Sequence, residues 1–149
     1  MVQRIQTIFL LLAGAVLFAL FVPVFSFVKI EGDTSGKALQ DGVLSLADSA
    51  ALQLPAALAG VLFILTIFLF KNRKQQLRLA QSATLVCAAL IAIAAYIFYV
   101  GTKESGGYVH VSPQIGGFFP VLSFIFGLLA ARFIRKDEKL VRSSYDRLR

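Results

Sequence analysis

The sequence predicts an all-α membrane protein: a four-transmembrane-helix bundle with small extracytoplasmic loops and a cytoplasmic amphipathic C-terminal helix. Three observations carry this. Of 149 residues, 58% are apolar and 15% charged, against about 45–50% and about 25% in a soluble domain. The apolar residues gather in four blocks with the charges between them. Lys and Arg are divided unevenly between alternate connections. A span needs about 20 apolar residues to cross a hydrocarbon core of roughly 30 Å. Four spans take up more than half of the chain, so one membrane domain over residues 1–149 is expected, without a separate soluble one. The pI of 9.9 does not point to nucleic acid, because the basic residues are shared among short connections and not gathered on a folded surface.

The first span is expected over about 5–28. It starts like a signal peptide, with Arg4 before an apolar stretch. The stretch exceeds the usual 7–15 residues of a signal peptide, and Val24-Phe25-Ser26 is a weak cleavage site, so an uncleaved helix is expected. Pro23 falls near its far end, where it kinks or ends a helix. The loop to about residue 50 carries Lys29 and Lys37 against Glu31, Asp33, Asp41 and Asp48. Its start, Phe25 to Ile30, alternates in part, and Asp33-Thr34-Ser35-Gly36 is a turn signal. Two readings stay open there, a short hairpin on the membrane surface and an irregular loop.

The second span is expected over about 51–70, with Pro55 in its first turn, where a missing N–H costs little. A basic turn follows, Lys71, Arg73, Lys74 and Arg78, and its shortness makes spans two and three an antiparallel hairpin. The third span is expected over about 79–100. Ala80, Thr84, Ala88 and Ala92 recur every four residues in it, a small-residue face that lets helices approach closely in lipid. Packing within the bundle is favoured over dimerisation. In the next loop, Tyr108 to Val111 suits a short strand that joins the first loop's hairpin. The fourth span is expected over about 118–134, with Pro120 in its first turn and Gly127 and Ala131 as a close-contact pair. The tail, 135–149, follows directly.

Charge orients the chain. Twelve Lys/Arg fall on the side of the termini and three, Lys29, Lys37 and Lys103, on the other. By the positive-inside rule both termini are cytoplasmic. None of the four spans holds an ionisable side chain between its ends, where a charge would cost about 2.5–3.5 kcal/mol or more and would mark an ion or proton pathway. The hydroxyls within the spans are expected to bond back to their own helix. His110 is the single histidine and has no Cys/His cluster around it, so a metal centre is not expected. Cys87 lies mid-span among alanines and reads as an inert packed thiol. Gly106-Gly107 and Gly116-Gly117 lack the lysine and the strand–helix setting of a phosphate loop, and turn formation explains them. No nucleophile, base and orienting partner occur together. Neither catalytic residues nor a cofactor are therefore expected.

The tail is basic and, as a helix, amphipathic. Ile134, Val141 and Leu148 recur at seven-residue spacing with Leu140 and Tyr145 beside them, and Glu138→Arg142 is a favourable pair worth about 0.2–0.5 kcal/mol. Residues expected to touch anionic lipid or a partner are Lys71, Arg73, Lys74 and Arg78 in the turn. In the tail they are Arg132, Arg135, Lys136, Lys139, Val141, Arg142, Tyr145, Arg147, Leu148 and Arg149. Two readings stand side by side: an anchor on anionic lipid, at about 1 kcal/mol per basic residue, and a docking helix whose apolar stripe buries against a partner.

The opening MVQRIQTIFLLLAG, the segment Leu77-Arg78-Leu79-Ala80, and the endings IRKDEKLVRS and DRLR resemble a bacterial family of short four-span membrane proteins, domain-of-unknown-function family 4293. The resemblance runs the whole length and is most specific at the tail. It implies a multi-pass protein of the bacterial inner membrane and supplies no activity or site. The expected function is a non-enzymatic accessory or structural subunit of an inner-membrane complex, with membrane lipids and other membrane-protein subunits as partners and no nucleic acid. The alternative is a small transporter or a lipid- or hydrophobic-ligand-binding protein. A membrane enzyme is the third hypothesis.

Overall fold

The computed structural model describes residues 2–31, 43–44, 46, 49–70, 72–104 and 110–146. The chain is mostly helical. The first helix, α1, spans Val2–Ala19. It is shorter than the expected span of 5–28, and the cause is local. Proline at 23 lacks an N–H and disfavours the α conformation of the residue before it. The chain therefore tightens into successive i→i−3 turns, in which Leu20, Phe21 and Val22 donate to Leu17, Phe18 and Ala19 at 3.0–3.2 Å. The apolar residues beyond are used elsewhere: Leu20 and Phe27 are buried, and the Phe25 ring lies 5.0 Å from that of Phe119.

Strand β1, Val28–Glu31, follows, then β2, Val43–Leu44. The helix α2, Ala50–Phe68, is capped by Ser49, whose hydroxyl accepts from the Ala51 amide at 3.2 Å. Starting at Ala50 places Pro55 in its second turn and not its first. The third helix, α3, is Arg73–Glu104. Most of the expected basic turn is thus helix. Asn72 accounts for this: its side-chain oxygen accepts from Gln75 N at 3.4 Å and its carbonyl from Gln76 N at 2.9 Å, the geometry of an N-terminal cap. Strand β3 is His110–Pro113, a 3-10 turn spans Ile115–Phe118, and α4 runs unbroken over Phe119–Asp146.

The three strands form one antiparallel sheet in the order β2-β1-β3. The register sets Val28 opposite Leu44 and Pro113, and Glu31 opposite His110. The strand near Val111 therefore does join the first loop's pair. The Asp33-Thr34-Ser35-Gly36 turn lies outside the described residues. Gly116 and Gly117 serve close approach: a Cβ on Gly116 would strike the Ser26 carbonyl, and one on Gly117 would lie 2.9 Å from the Phe27 oxygen. Only glycine lets the 115–118 turn lie on the 25–27 segment.

The helices form a ring in which α1 and α3 each pack on both α2 and α4. The ring is apolar outside as well as inside. Ile8, Leu11, Leu54, Leu58, Leu85, Ile125 and Leu128 are large and exposed, so every helix contributes an outward apolar face. The interior is filled by Leu10, Ala13, Ala56, Ala59, Phe63, Ala80, Ala83, Cys87 and Ala130. Bulky groups outside and many small groups inside suit a bundle in lipid, where close backbone packing replaces the hydrophobic drive between helices. Three helical stretches, Ala50–Phe68, Arg73–Val100 and Ile115–Leu140, are long and apolar enough to cross a membrane. Within α1 the apolar stretch is shorter, Ile5–Ala19, so three of the four expected spans meet the length of a membrane crossing as helices.

Candidate functional site: an outer groove and the terminal end of the bundle

Both described chain ends lie at one end of the bundle, with the α2–α3 turn, and the sheet lies at the other. At the terminal end, polar groups join the helices. Arg73 Nη1 is 3.0 Å from Asp137 Oδ2 and donates to the Asp137 carbonyl at 3.3 Å. The approach to Oδ2 lacks the angle of a hydrogen bond, so that contact is ionic. Gln76, fully buried, donates from Nε2 to the Thr66 carbonyl at 3.3 Å and ties the start of α3 to the end of α2. Its Oε1 and that of Gln6 are buried without a hydrogen-bond partner.

Deeper in the bundle, Thr66 and Thr84 bond back to the carbonyls of Leu62 and Ala80, both at 2.7 Å, as expected of hydroxyls in apolar helices. Ser123 departs from that expectation. It donates across the bundle to the Ala13 carbonyl at 2.9 Å and so joins α4 to α1. Likewise the Cys87 thiol donates to the Pro120 carbonyl at 3.3 Å. Gly127 sets how closely α4 meets its neighbours. A Cβ there would lie 2.7 Å from Thr84 Oγ1 and 2.9 Å from Phe63 Cζ.

Between α3 and α4, on the outer surface, runs a groove of about 600 Å³. Thr84, Ala88 and Ala131 form its floor, and Leu85, Phe124 and Leu128 its walls. Gln81, Arg132 and Arg135 close the terminal end. A smaller groove of about 220 Å³ lies at the sheet end, bounded by Val28, Ile91, Phe98 and Pro120 among others.

The expected site residues divide by position. Arg73 is committed to Asp137. Lys74, Arg78, Lys136 and Lys139 are exposed. Arg132 and Arg135 are exposed and line the larger groove. The backbone of Val141, Arg142 and Tyr145 continues α4, and their side chains lie outside the described residues, as do Lys71, Arg147, Leu148 and Arg149 altogether. Of the small-residue face, Ala80 and Thr84 are buried, Ala88 is half-buried on the groove floor and Ala92 is exposed. The reason is geometric: a four-residue spacing overshoots a helical turn of 3.6 residues by about 40° per step. The buried face follows Gln76, Ala80, Ala83, Cys87 and Leu90 instead. Gln6, Gln76 and the Arg73–Asp137 pair escape sequence reasoning, since nothing in the spacing joins them to partners on other helices. Among the described residues no three His, Cys, Asp or Glu side chains gather as metal ligands would.

The model of one family, described as Domain of unknown function (DUF4293), matches residues 2–148. No curated protein and no solved structure matches the chain.

Proposed function

The chain belongs to the DUF4293 family, and from that premise we propose that it is a four-span protein of the bacterial inner membrane, with both termini cytoplasmic, serving as a non-enzymatic accessory or structural subunit of a membrane complex. One observation carries the docking role. Helix α4 does not stop where its buried face stops. Among the residues whose side chains are described, Ile134 is the last deeply buried one in α4, and the helix continues to Asp146, about 18 Å further at 1.5 Å per residue. The Arg73–Asp137 contact holds the root of this arm to α3. Exposed Arg135, Lys136, Lys139 and Leu140 occupy its described surface. A fixed, basic, partly apolar arm suits a partner groove or an acidic surface. The fourth span in this reading is α1. Its outward apolar face, Ile5, Ile8, Leu11 and Phe18, is of the same kind as those of its neighbours, and the turns of 20–24 extend its reach. The charge asymmetry supports the orientation.

The test is affinity purification of the full chain from native membranes in a mild detergent, followed by crosslinking. A reproducible membrane partner is expected. Val141→Asp with Leu148→Asp should release it while membrane insertion stays normal. A lone monomer with no reproducible crosslink would end the subunit reading. The alternative reading, a lipid- or hydrophobic-ligand-binding protein, is favoured by the α3–α4 groove. Transport along the bundle axis is disfavoured by the buried side chains of the interior, Leu10, Ala13, Phe63, Cys87 and Ala130 among them.

A further inference from the structure

We propose that the groove between α3 and α4 holds one anionic phospholipid, with its phosphate between Arg132 and Arg135 and one acyl chain along the groove. This rests on the bundle being membrane-embedded and not on the docking role of the arm. The groove is divided as a lipid is. Its charge and its exposed amide, Arg132, Arg135 and Gln81, lie at one end. The rest is apolar apart from Thr84, and that hydroxyl is already donated to the Ala80 carbonyl at 2.7 Å. Arg132 and Arg135 stand three residues apart, on one face of α4. Among the described residues neither arginine forms an ion pair with Asp137, which Arg73 engages, or with Glu138. Guanidinium groups bind phosphate oxygens in a planar fork.

Charge placement and size favour a lipid chain over a helix of another protein. From Phe124 to Arg135 is eleven residues of α4, about 16 Å, which is close to half of a hydrocarbon core of roughly 30 Å, that is, one leaflet. Spread over that length, a volume of about 600 Å³ leaves a mean cross-section of about 37 Å². A helix with side chains is about 10–12 Å wide and so has roughly two to three times that section. An extended hydrocarbon chain fits. The arginines lie where the headgroup of such a lipid would sit, at the same end as the basic turn.

The experiment uses the purified full chain in a neutral detergent, with added phosphatidylglycerol or phosphatidylcholine, read by native mass spectrometry. Phosphatidylglycerol should be retained in preference. A photoactivatable phosphatidylglycerol, with its reactive group on the acyl chain, should crosslink to the segment around Leu85 or around Phe124–Leu128. Arg132→Gln with Arg135→Gln should weaken retention roughly 30-fold, taking about 1 kcal/mol per basic residue, while lysine at both positions keeps most of it. Ala88→Phe, which fills the floor without changing charge, should abolish the crosslink. Equal retention of the two lipids, indifference to the glutamine pair, or a crosslink between two copies of the chain at this groove would each overturn the proposal. Retention is read on the isolated protein, so loss of a partner complex leaves this result independent.

Discussion

Gly127→Ala tests the packing on which the groove depends, because the sign of its effect separates two physical accounts. Helix propensity alone favours alanine over glycine in a helix interior by about 1 kcal/mol. The structure predicts the reverse. The added Cβ would lie 2.7 Å from Thr84 Oγ1 and 2.9 and 3.0 Å from the Phe63 ring. Restoring an ordinary contact of 3.4 Å requires a retreat of about 0.4–0.7 Å. Phe63 is fully buried and the Thr84 hydroxyl is held by Ala80, so neither yields freely. Overpacking of this kind costs about 1–3 kcal/mol. Set against the propensity gain, a net loss of roughly 1 kcal/mol is expected. Thr84→Ala in the same chain removes the closest clash, so the double variant should recover part of the loss, which a double-mutant cycle measures. The assay is thermal denaturation in detergent, followed by size-exclusion chromatography of the remaining folded protein. A Gly127→Ala chain more stable than the parent, by the amount propensity supplies, would refute the close packing of α4 on α2 and α3. A pushed-apart α3–α4 pair should also hold phosphatidylglycerol less well.

Other outcomes follow from the polar joints. Arg73→Asp should lower thermal stability by about 1 kcal/mol, the range of a partly exposed pair, and Asp137→Arg in the same chain should restore part of it; an unchanged midpoint in the single variant would remove the clamp from the account of α4. Gln76→Leu should leave stability unchanged or raise it slightly, since one hydrogen bond is lost while an orphan carbonyl, which costs about 1–3 kcal/mol, is removed. A loss above about 2 kcal/mol would contradict that reading of Gln76. Ser123→Ala should cost about 0.6 kcal/mol, the mean for a hydrogen bond between membrane helices, and no loss would show that the Ala13 contact contributes nothing. In a Cys87→Ser background, a cysteine at Lys139 should label from the cytoplasm and one at Gln40 from the other side, and the opposite pattern would reverse the proposed orientation.

The elements were legible where hydropathy alone decides them. Span two, span three and span four appear at 51–70, 79–100 and 118–134 in the sequence, and the helices cover each of them apart from a residue or two at α2's end and α4's start. The sequence suits a strand at Tyr108–Val111 joining a hairpin near Phe25–Ile30, one of two readings open there, and the pairing occurs at His110–Pro113 and Val28–Glu31, displaced toward the C-terminus. Boundaries were less readable because they rest on single side chains. Pro23 ends α1 early, and Asn72 starts α3 inside the basic turn. The candidate groove was half legible. Arg132 and Arg135 stood out as cations, and Thr84 and Ala88 as small residues, but nothing in the spacing joins the two sets.

What the sequence by itself determined is the class of molecule. Apolar blocks with charges between them mark helices long and apolar enough to cross a membrane, because hydropathy is a local and additive property. The tertiary structure alone decided which polar groups are used and how. Arg73 meets Asp137, 64 residues away, and Ser123 meets Ala13, 110 residues away. The groove exists because antiparallel α3 and α4 bring Thr84, Leu85 and Ala88 beside Phe124, Leu128 and Ala131. Such contacts depend on the relative rotation and register of helices, which many side chains set together and which no single segment carries.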